Sequence, residues 1–327
     1  MVFFVLSGFF IHLPYAKTLA SGSVEWRLDV RGYAARRAHR ILPTYFFALL
    51  VTLILDLAGH SLAPALYMSK TGISDLDAAF ADKTYSRSMV AWALCLMPST
   101  GFGSNGPLWS LGCEIAYYSA YPLWLAFRRK NRTIAYASVF IIGIAAEVLM
   151  RPNGITFTGS GVVKMLLRLY PCWIAGAALA EWLCTRERSI SRAQPLPIVP
   201  ISIGLVLYAA NPPAAFIPVS TSLIGVGVVL AFATMPEPWM KQALFRFAEF
   251  IGQRSYTLYV CHYPMLVLIT AVVIQELGAR PSHGWPALFG MIGSCAFCLA
   301  CFWLCERHFI HRKFRLETTQ TLRVQSA

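Results

Sequence analysis

The run from Leu108 to Phe127 is long enough to cross a bilayer as one helix, yet it carries a carboxylate, Glu114, in its interior. At 3.6 residues per turn, Ser110, Glu114, Tyr117, Tyr118 and Tyr121 fall on one side, giving a single polar stripe on an apolar body. An ionisable group at that depth costs about 3 kcal/mol on insertion scales and faces a bundle interior or a wet cavity. Glu114 is therefore a site candidate. Its plain alternative is a carboxylate paired with an Arg or a Tyr hydroxyl that only locks two helices together.

Similar apolar runs recur along the chain. With 57% hydrophobic and 13% charged residues and a mean hydropathy of +0.56, the sequence belongs with polytopic α-helical membrane proteins. Its longest polar interruption, about Gly59 to Arg87, is too short for an independent core. The net charge of +13 does not indicate nucleic acid, because the Lys and Arg residues cluster in short segments between apolar runs, the pattern of positive-inside orientation. Nine cysteines form no secreted disulfide framework. Cys295, Cys298 and Cys301 repeat a CxxC spacing inside the apolar run Pro286 to Cys305, where they read as a small-residue packing stripe, so no metal is expected.

In order, Met1 to Pro14 is an apolar helix shorter than the roughly 20 residues of a span, without the basic start or cleavage site of a signal peptide. A basic segment follows: Arg27, Arg31, Arg36, Arg37, His39 and Arg40. Ile41 to Leu57 then crosses, with Pro43 in its first turn. Met89 to Met97 is too short to cross and precedes the turn Gly101 to Pro107. The further crossings are Leu108 to Phe127, Thr133 to Met150, Val162 to Cys184, Leu196 to Ala210, Pro218 to Met235, Ser255 to Gln275 and Pro286 to Cys305. These make nine spans, with the basic loops and the C-terminus on the cytoplasmic side of a cell inner membrane. The parity leaves Met1 on the outer side, as though one preceding helix were absent.

Four segments resemble the successive signatures of the membrane acyltransferase-3 family: Phe3-Phe4-Val5-Leu6-Ser7-Gly8-Phe9, Arg36-Arg37-Ala38-His39-Arg40-Ile41-Leu42-Pro43, Trp109-Ser110-Leu111 with Glu114 and Tyr117-Tyr118, and Gly252 to Pro264 with Ser255, Tyr256, Tyr259 and His262. Glu306-Arg307-His308-Phe309 resembles the family's closing Glu-Arg-Pro-Phe, with His308 in place of proline. The resemblance implies a ten-helix integral-membrane O-acyltransferase acting on glycans or related acceptors. The family's first helix carries an Arg and an essential His before the Phe-Phe-Val-Leu-Ser-Gly-Phe segment, and this sequence starts after them. A single membrane domain over residues 1–315 with a cytoplasmic tail at 316–327 is expected.

Under that resemblance the donor is acyl-CoA, most simply acetyl-CoA, as a substrate with no bound cofactor. Arg36, Arg37 and Arg40 are candidates for its phosphates, against the alternative of membrane anchoring. His262 and Glu114 are the catalytic candidates, His262 as a residue that supports catalysis rather than the base itself, which the resemblance places in the family's first helix, and Glu114 either to orient or charge-stabilise an imidazole or to contact the acceptor. Ser255, Tyr259 and His262 share a helix face at i, i+4 and i+7. Ser110, Tyr117, Tyr118 and Tyr256 are cavity candidates, Trp109 is a substrate platform or an interfacial anchor, and His12 is read as structural. The partners implied are a lipid-linked or surface glycan acceptor, membrane lipids and a separate periplasmic acyl-transfer protein. A non-catalytic scaffold is the rival class, and a transporter the weaker one, because no internal repeat is visible.

Overall fold

A computed structural model describes residues 2–22, 28–80, 85–97, 101–150, 160–186, 197–210, 217–235, 242–279, 281 and 284–310. The tail 316–327, the cations Arg27, Lys83, Arg188, Arg192, Lys241, Arg312, Lys313 and Arg315, Asp82, His311 and the turns at 152–154 and 211–213 lie outside the described residues. The described secondary structure is helical: α1 Val2–Ala20, α2 Val30–Leu62, α3 Pro64–Tyr67, α4 Ser74–Phe80, α5 Arg87–Leu94, α6 Leu108–Lys130, α7 Arg132–Leu149, α8 Ser160–Arg186, α9 Ile198–Ala209, α10 Ile217–Ala233, α11 Ala243–Gly252, α12 Ser255–Leu277, α13 Trp285–Cys301, a π turn Phe302–Glu306, and α14 Arg307–Ile310. Six of the candidate spans are long and apolar enough to cross a membrane: α1, α2, α7, α8, α12 and the stretch Trp285–Phe309. The other three expected crossings fall short of that standard: α9 and α10 have only 12 and 17 residues, and α6 carries Glu114 and its tyrosines in a 23-residue helix.

Two boundaries differ from the sequence expectation. Helix α1 does not stop at Pro14 but runs 19 residues from Val2 to Ala20. Proline forfeits only the bond its own N–H would make to the carbonyl of Phe10. Buried Tyr15 and Ala16 beyond it give the helix reason to continue. Helix α2 starts at Val30, so the arginine-rich segment is itself helical and Pro43 sits in the interior, well past the first turn. Its 33 residues extend about 50 Å, well beyond a hydrocarbon core.

The chain divides into two compact units, Met1–Val30 with Cys113–Arg246, and Arg31–Gly112 with Phe247–Ala327. In the first unit α1 packs against α8 and α10, α7 against α8, and α9 against α10. The α1/α8 approach is close because both helices present glycine. A Cβ on Gly8 would fall deep inside the contact radius of the Trp173 carbonyl oxygen, and one on Gly176 would do the same to that of Val5. Asn131 caps α7, its side chain accepting the Ile134 N–H at 3.0 Å.

In the second unit α12 packs against α13 and α3. Ser86 caps the eight-residue α5, which is too short to span. Gly278 closes α12 in the left-handed conformation at φ +63°. The buried thiols of Cys298 and Cys301 lie on α13, with Cys261 on α12 and Cys305 in the π turn, whereas Cys295 is exposed.

Candidate active site

Each unit carries polar side chains that an apolar helix excludes unless they are paired. In the first unit, Glu114 is 4% exposed and accepts the Ser7 hydroxyl at 2.6 Å, and Tyr118, one turn along α6, donates its hydroxyl to the same carboxylate oxygen. Trp173 of α8 donates its indole N–H to Ser7 Oγ at 3.2 Å. Tyr117 turns to α8 instead and donates to the carbonyl of Leu166 at 3.0 Å. The expected stripe on α6 therefore divides, with Glu114 and Tyr118 grouped around Ser7 and Tyr117 anchoring the α8 backbone.

A second buried cluster in this unit was not anticipated. His12 is fully buried, with Nε2 2.8 Å from Glu181 and Nδ1 3.0 Å from the Tyr121 hydroxyl. Glu181 also accepts from Arg128 at 2.6 Å and Tyr136 at 2.9 Å, and pairs with Arg132 at 3.1 Å. Arg128 reaches the Tyr15 hydroxyl at 2.8 Å. Elsewhere in the unit, Glu147 sits 3.6 Å from Lys164 and 3.4 Å from Arg168, all three buried. Glu147, Lys164, Arg168 and Glu181 lie in apolar runs, so the rule that singled out Glu114 would have found them too.

The second unit holds the remaining candidates. Tyr259 and Ser110 share a short hydroxyl–hydroxyl hydrogen bond, and both hydroxyls reach the Pro107 carbonyl, at 3.2 and 3.0 Å. His262 Nδ1 lies 2.9 Å from the carbonyl oxygens of Leu258 and Tyr259. Both are acceptors, so Nδ1 carries a proton toward them and Nε2 is the ring nitrogen left for another partner. Ser255 is exposed, and no described hydrogen bond draws it into this cluster. Trp109 is half-buried on the first turn of α6.

At the arginine-rich end of α2, Tyr256 donates to the carbonyl of Ile41 at 3.0 Å, which docks the start of α12 beside Arg40. Glu306, buried in the π turn, accepts the Thr257 N–H at 3.1 Å and the Thr257 hydroxyl, and feels the charges of Arg40 and Arg254. A remote carboxylate thus caps an α12 N-terminus whose own N-cap, Arg254, supplies no side-chain acceptor. Arg36 and Arg40 are exposed and Arg37 lies over the Tyr33 ring at 5.9 Å. Asp56, a further carboxylate that sequence reasoning passed over, is buried on α2 beside the turn that follows α5.

The helices and the buried ion pairs define a polytopic helical membrane protein with catalytic-type side chains inside its units. The chain belongs to the acyltransferase-3 family, whose acyltransferase-domain model matches residues 1–307. It is 24% identical over 347 aligned positions to the "Putative peptidoglycan O-acetyltransferase YrhL" of Bacillus subtilis strain 168, covering 97% of this chain and 50% of that protein. It is 31% identical over 191 positions to "Acyltransferase MdmB" of Streptomyces mycarofaciens, covering 56% of this chain and 43% of that one. The chain therefore spans about half the length of these relatives or less. No solved structure matches it significantly.

Proposed function

We propose that this protein transfers an acyl group, most simply acetyl, from acyl-CoA to a hydroxyl of a glycan or glycolipid acceptor. In this reaction the acceptor oxygen forms an ester bond to the acyl carbon, the thioester C–S bond breaks, and the hydroxyl proton passes to a base while the thiolate leaves. The observation that carries this reading is His262 Nδ1 lying 2.9 Å from two backbone carbonyls, an arrangement that favours the Nδ1–H tautomer, in which Nε2 can take a hydroxyl proton. Tyr259, whose ring centroid lies 6.3 Å from that of His262, shares a hydroxyl hydrogen bond with Ser110, and these two hydroxyls would turn from the Pro107 carbonyl to serve a developing oxyanion.

Arg37 and Arg40 supply the phosphate contacts of the donor, and Tyr256 ties their helix to α12. His262 lies six residues beyond Tyr256, about 9 Å along the helix, in the direction away from the arginines. With the basic segments cytoplasmic, the donor approaches from inside and the acceptor from the opposite face of an inner membrane. The name of the Bacillus relative supports a glycan acceptor. A separate periplasmic chain completes delivery where the acceptor lies beyond the membrane.

The test is incorporation of label from acetyl-CoA into membrane glycans by purified protein in proteoliposomes. His262→Ala should lower the rate about 100-fold or more. Arg37→Ala/Arg40→Ala should raise the KM for acetyl-CoA with a smaller effect on kcat. Wild-type protein that binds acetyl-CoA but transfers nothing would instead identify a non-catalytic scaffold.

A further inference from the structure

Arg254, in the turn that joins α11 to α12, is held in place on three sides. Its guanidinium lies 3.7 Å from the Phe250 ring centroid and 4.8 Å from that of Phe302. Nη1 donates to the Phe250 carbonyl at 2.6 Å, and Nε has no hydrogen-bond partner among the described residues. The surroundings are a surface and not an enclosed core: Arg254 is half-buried, Phe250 is 40% exposed, and Gln253, Ser255 and Arg40 are exposed.

Arg40 belongs to the same surface of the second unit. Tyr256, two residues after Arg254, donates to the carbonyl of Ile41, the residue after Arg40, and both guanidinium charges act on the Glu306 carboxylate. That carboxylate is committed to Thr257, and among the described residues no carboxylate forms an ion pair with Arg254 or Arg40. Fixing an arginine side chain sacrifices rotamer freedom, which usually weakens the contacts it makes. At Arg254 two aromatic faces and a backbone carbonyl have already fixed it. What is left is a planar, pre-set cation with N–H groups to spare, the form that grips a phosphate through two parallel hydrogen bonds.

We propose that Arg254, together with Arg40, binds the diphosphate of the acyl-CoA donor. Of the donor's phosphates the diphosphate is the nearer to the thioester, separated from it by the pantetheine arm. His262 lies eight residues after Arg254, about 12 Å along the helix, so the arm has a length of α12 to follow. A lipid headgroup asks only for positive charge, which a mobile lysine or arginine supplies by snorkelling. The rings around Arg254 fix an orientation that such a contact does not need. This inference rests on the acyl-transfer reading and adds a residue outside the arginine-rich segment of α2 that selects its donor.

The test compares three donors: acetyl-CoA, its 3′-dephospho form, which keeps the diphosphate, and S-acetyl-pantetheine, which has no phosphate. Binding of the first two to the purified full chain is measured by calorimetry in detergent, and kcat/KM for all three in the proteoliposome transfer assay. Arg254→Gln should weaken the Kd for acetyl-CoA and for its dephospho form alike, by about 10-fold, the equivalent of one charge-assisted hydrogen bond. The preference in kcat/KM for acetyl-CoA over S-acetyl-pantetheine should fall by the same factor. Arg254→Lys, which keeps the charge and loses the planar fork, should recover only part of the loss. A merely structural Arg254 would impair all three donors equally, and that result would overturn the proposal. A loss confined to acetyl-CoA would move the contact to the 3′-phosphate and overturn the diphosphate assignment. Wild-type affinity in Arg254→Gln, with a melting temperature that no longer responds to phosphatidylglycerol, would assign Arg254 to lipid headgroups and leave acyl transfer intact. Acetyl-CoA binding that depends on Arg254 without any transfer would keep the site and reject the acyl-transfer reading.

Discussion

Ser7 of α1 donates its hydroxyl to Glu114 of α6 across 2.6 Å, and the same oxygen of Ser7 receives the indole N–H of Trp173. One small side chain thereby links three helices around a buried carboxylate. Ser7→Ala removes a charge-assisted bond and orphans the indole, which should cost about 1.5–3 kcal/mol and be read as a lower melting temperature in detergent. Ser7→Thr, which keeps the hydroxyl, should restore much of it.

Glu181 concentrates the charge balance of the first unit, since His12, Arg128, Arg132 and Tyr136 all converge on it. Glu181→Ala leaves buried Arg128 without its carboxylate and should destabilise by about 3–5 kcal/mol. The double replacement Glu181→Leu/Arg128→Leu should cost less than the single change. A larger loss in the double variant would show that charge balance is not what holds the cluster.

Gly8→Ala introduces a methyl group into space occupied by the Trp173 backbone. Overpacking of this kind costs about 1–3 kcal/mol, and here the obstacle is backbone and cannot rotate away. Cysteine cross-linking between the α1 and α8 faces should fall in Gly8→Ala and remain normal in Gly252→Ala, where a Cβ would meet no neighbour.

Glu306 caps α12 through Thr257 while facing the Arg40 and Arg254 charges. Glu306→Gln keeps an acceptor for Thr257 but removes the charge. Under the proposed acyl transfer, loss of the anion facing Arg40 strengthens the positive field offered to the donor phosphates and should lower the KM for acetyl-CoA with a modest change in kcat, whereas Thr257→Val should lower stability by about 1–2 kcal/mol without that selective fall. Equal effects on both kinetic constants in Glu306→Gln would assign the residue to fold maintenance alone.

Asp77 holds the loop before α4, accepting the Thr71 N–H at 2.9 Å, the Thr71 hydroxyl at 2.7 Å and the Gly72 N–H at 3.1 Å. These donors, Thr71 first, lower its pKa below the ordinary 3.8. A carboxylate stabilised in the folded state adds its contribution above the unfolded pKa and loses it as pH falls through the folded one. Amide exchange at Thr71 and Gly72 should therefore stay protected down to about pH 4 and rise below it. Asp77→Asn should show raised exchange already at pH 7.

The bilayer made much of the architecture legible in the sequence. Apolar runs had to become helices, because lipid offers the backbone no hydrogen bonds, and α6, α7 and α8 appear within three residues of their expected limits. Proline misled at both Pro14 and Pro43, where buried neighbours such as Tyr15 and Tyr45 carry the helix past the ring. Among the site candidates, helical spacing placed Ser110, Glu114 and Tyr117 on one side of α6 but could not say which neighbour each would meet. Asp56, Glu147 and Glu181 were visible as ionisable residues in apolar surroundings; their partners, from Ser104 to His12, are tens to well over a hundred positions away.

The sequence by itself determined an all-helical membrane protein of the acyltransferase-3 family, since hydrophobic length and local motifs are properties of contiguous residues. Only the tertiary structure decided which polar groups are satisfied. It gave Glu114 to Ser7 and Tyr118, Glu181 to His12 and Arg128, and Glu306 to Thr257, and it left one oxygen each of Asp56, Ser104 and Asn105 unmatched. A hydrogen bond is fixed within a few tenths of an ångström by the packing of separate helices, and that packing is not encoded at any single position.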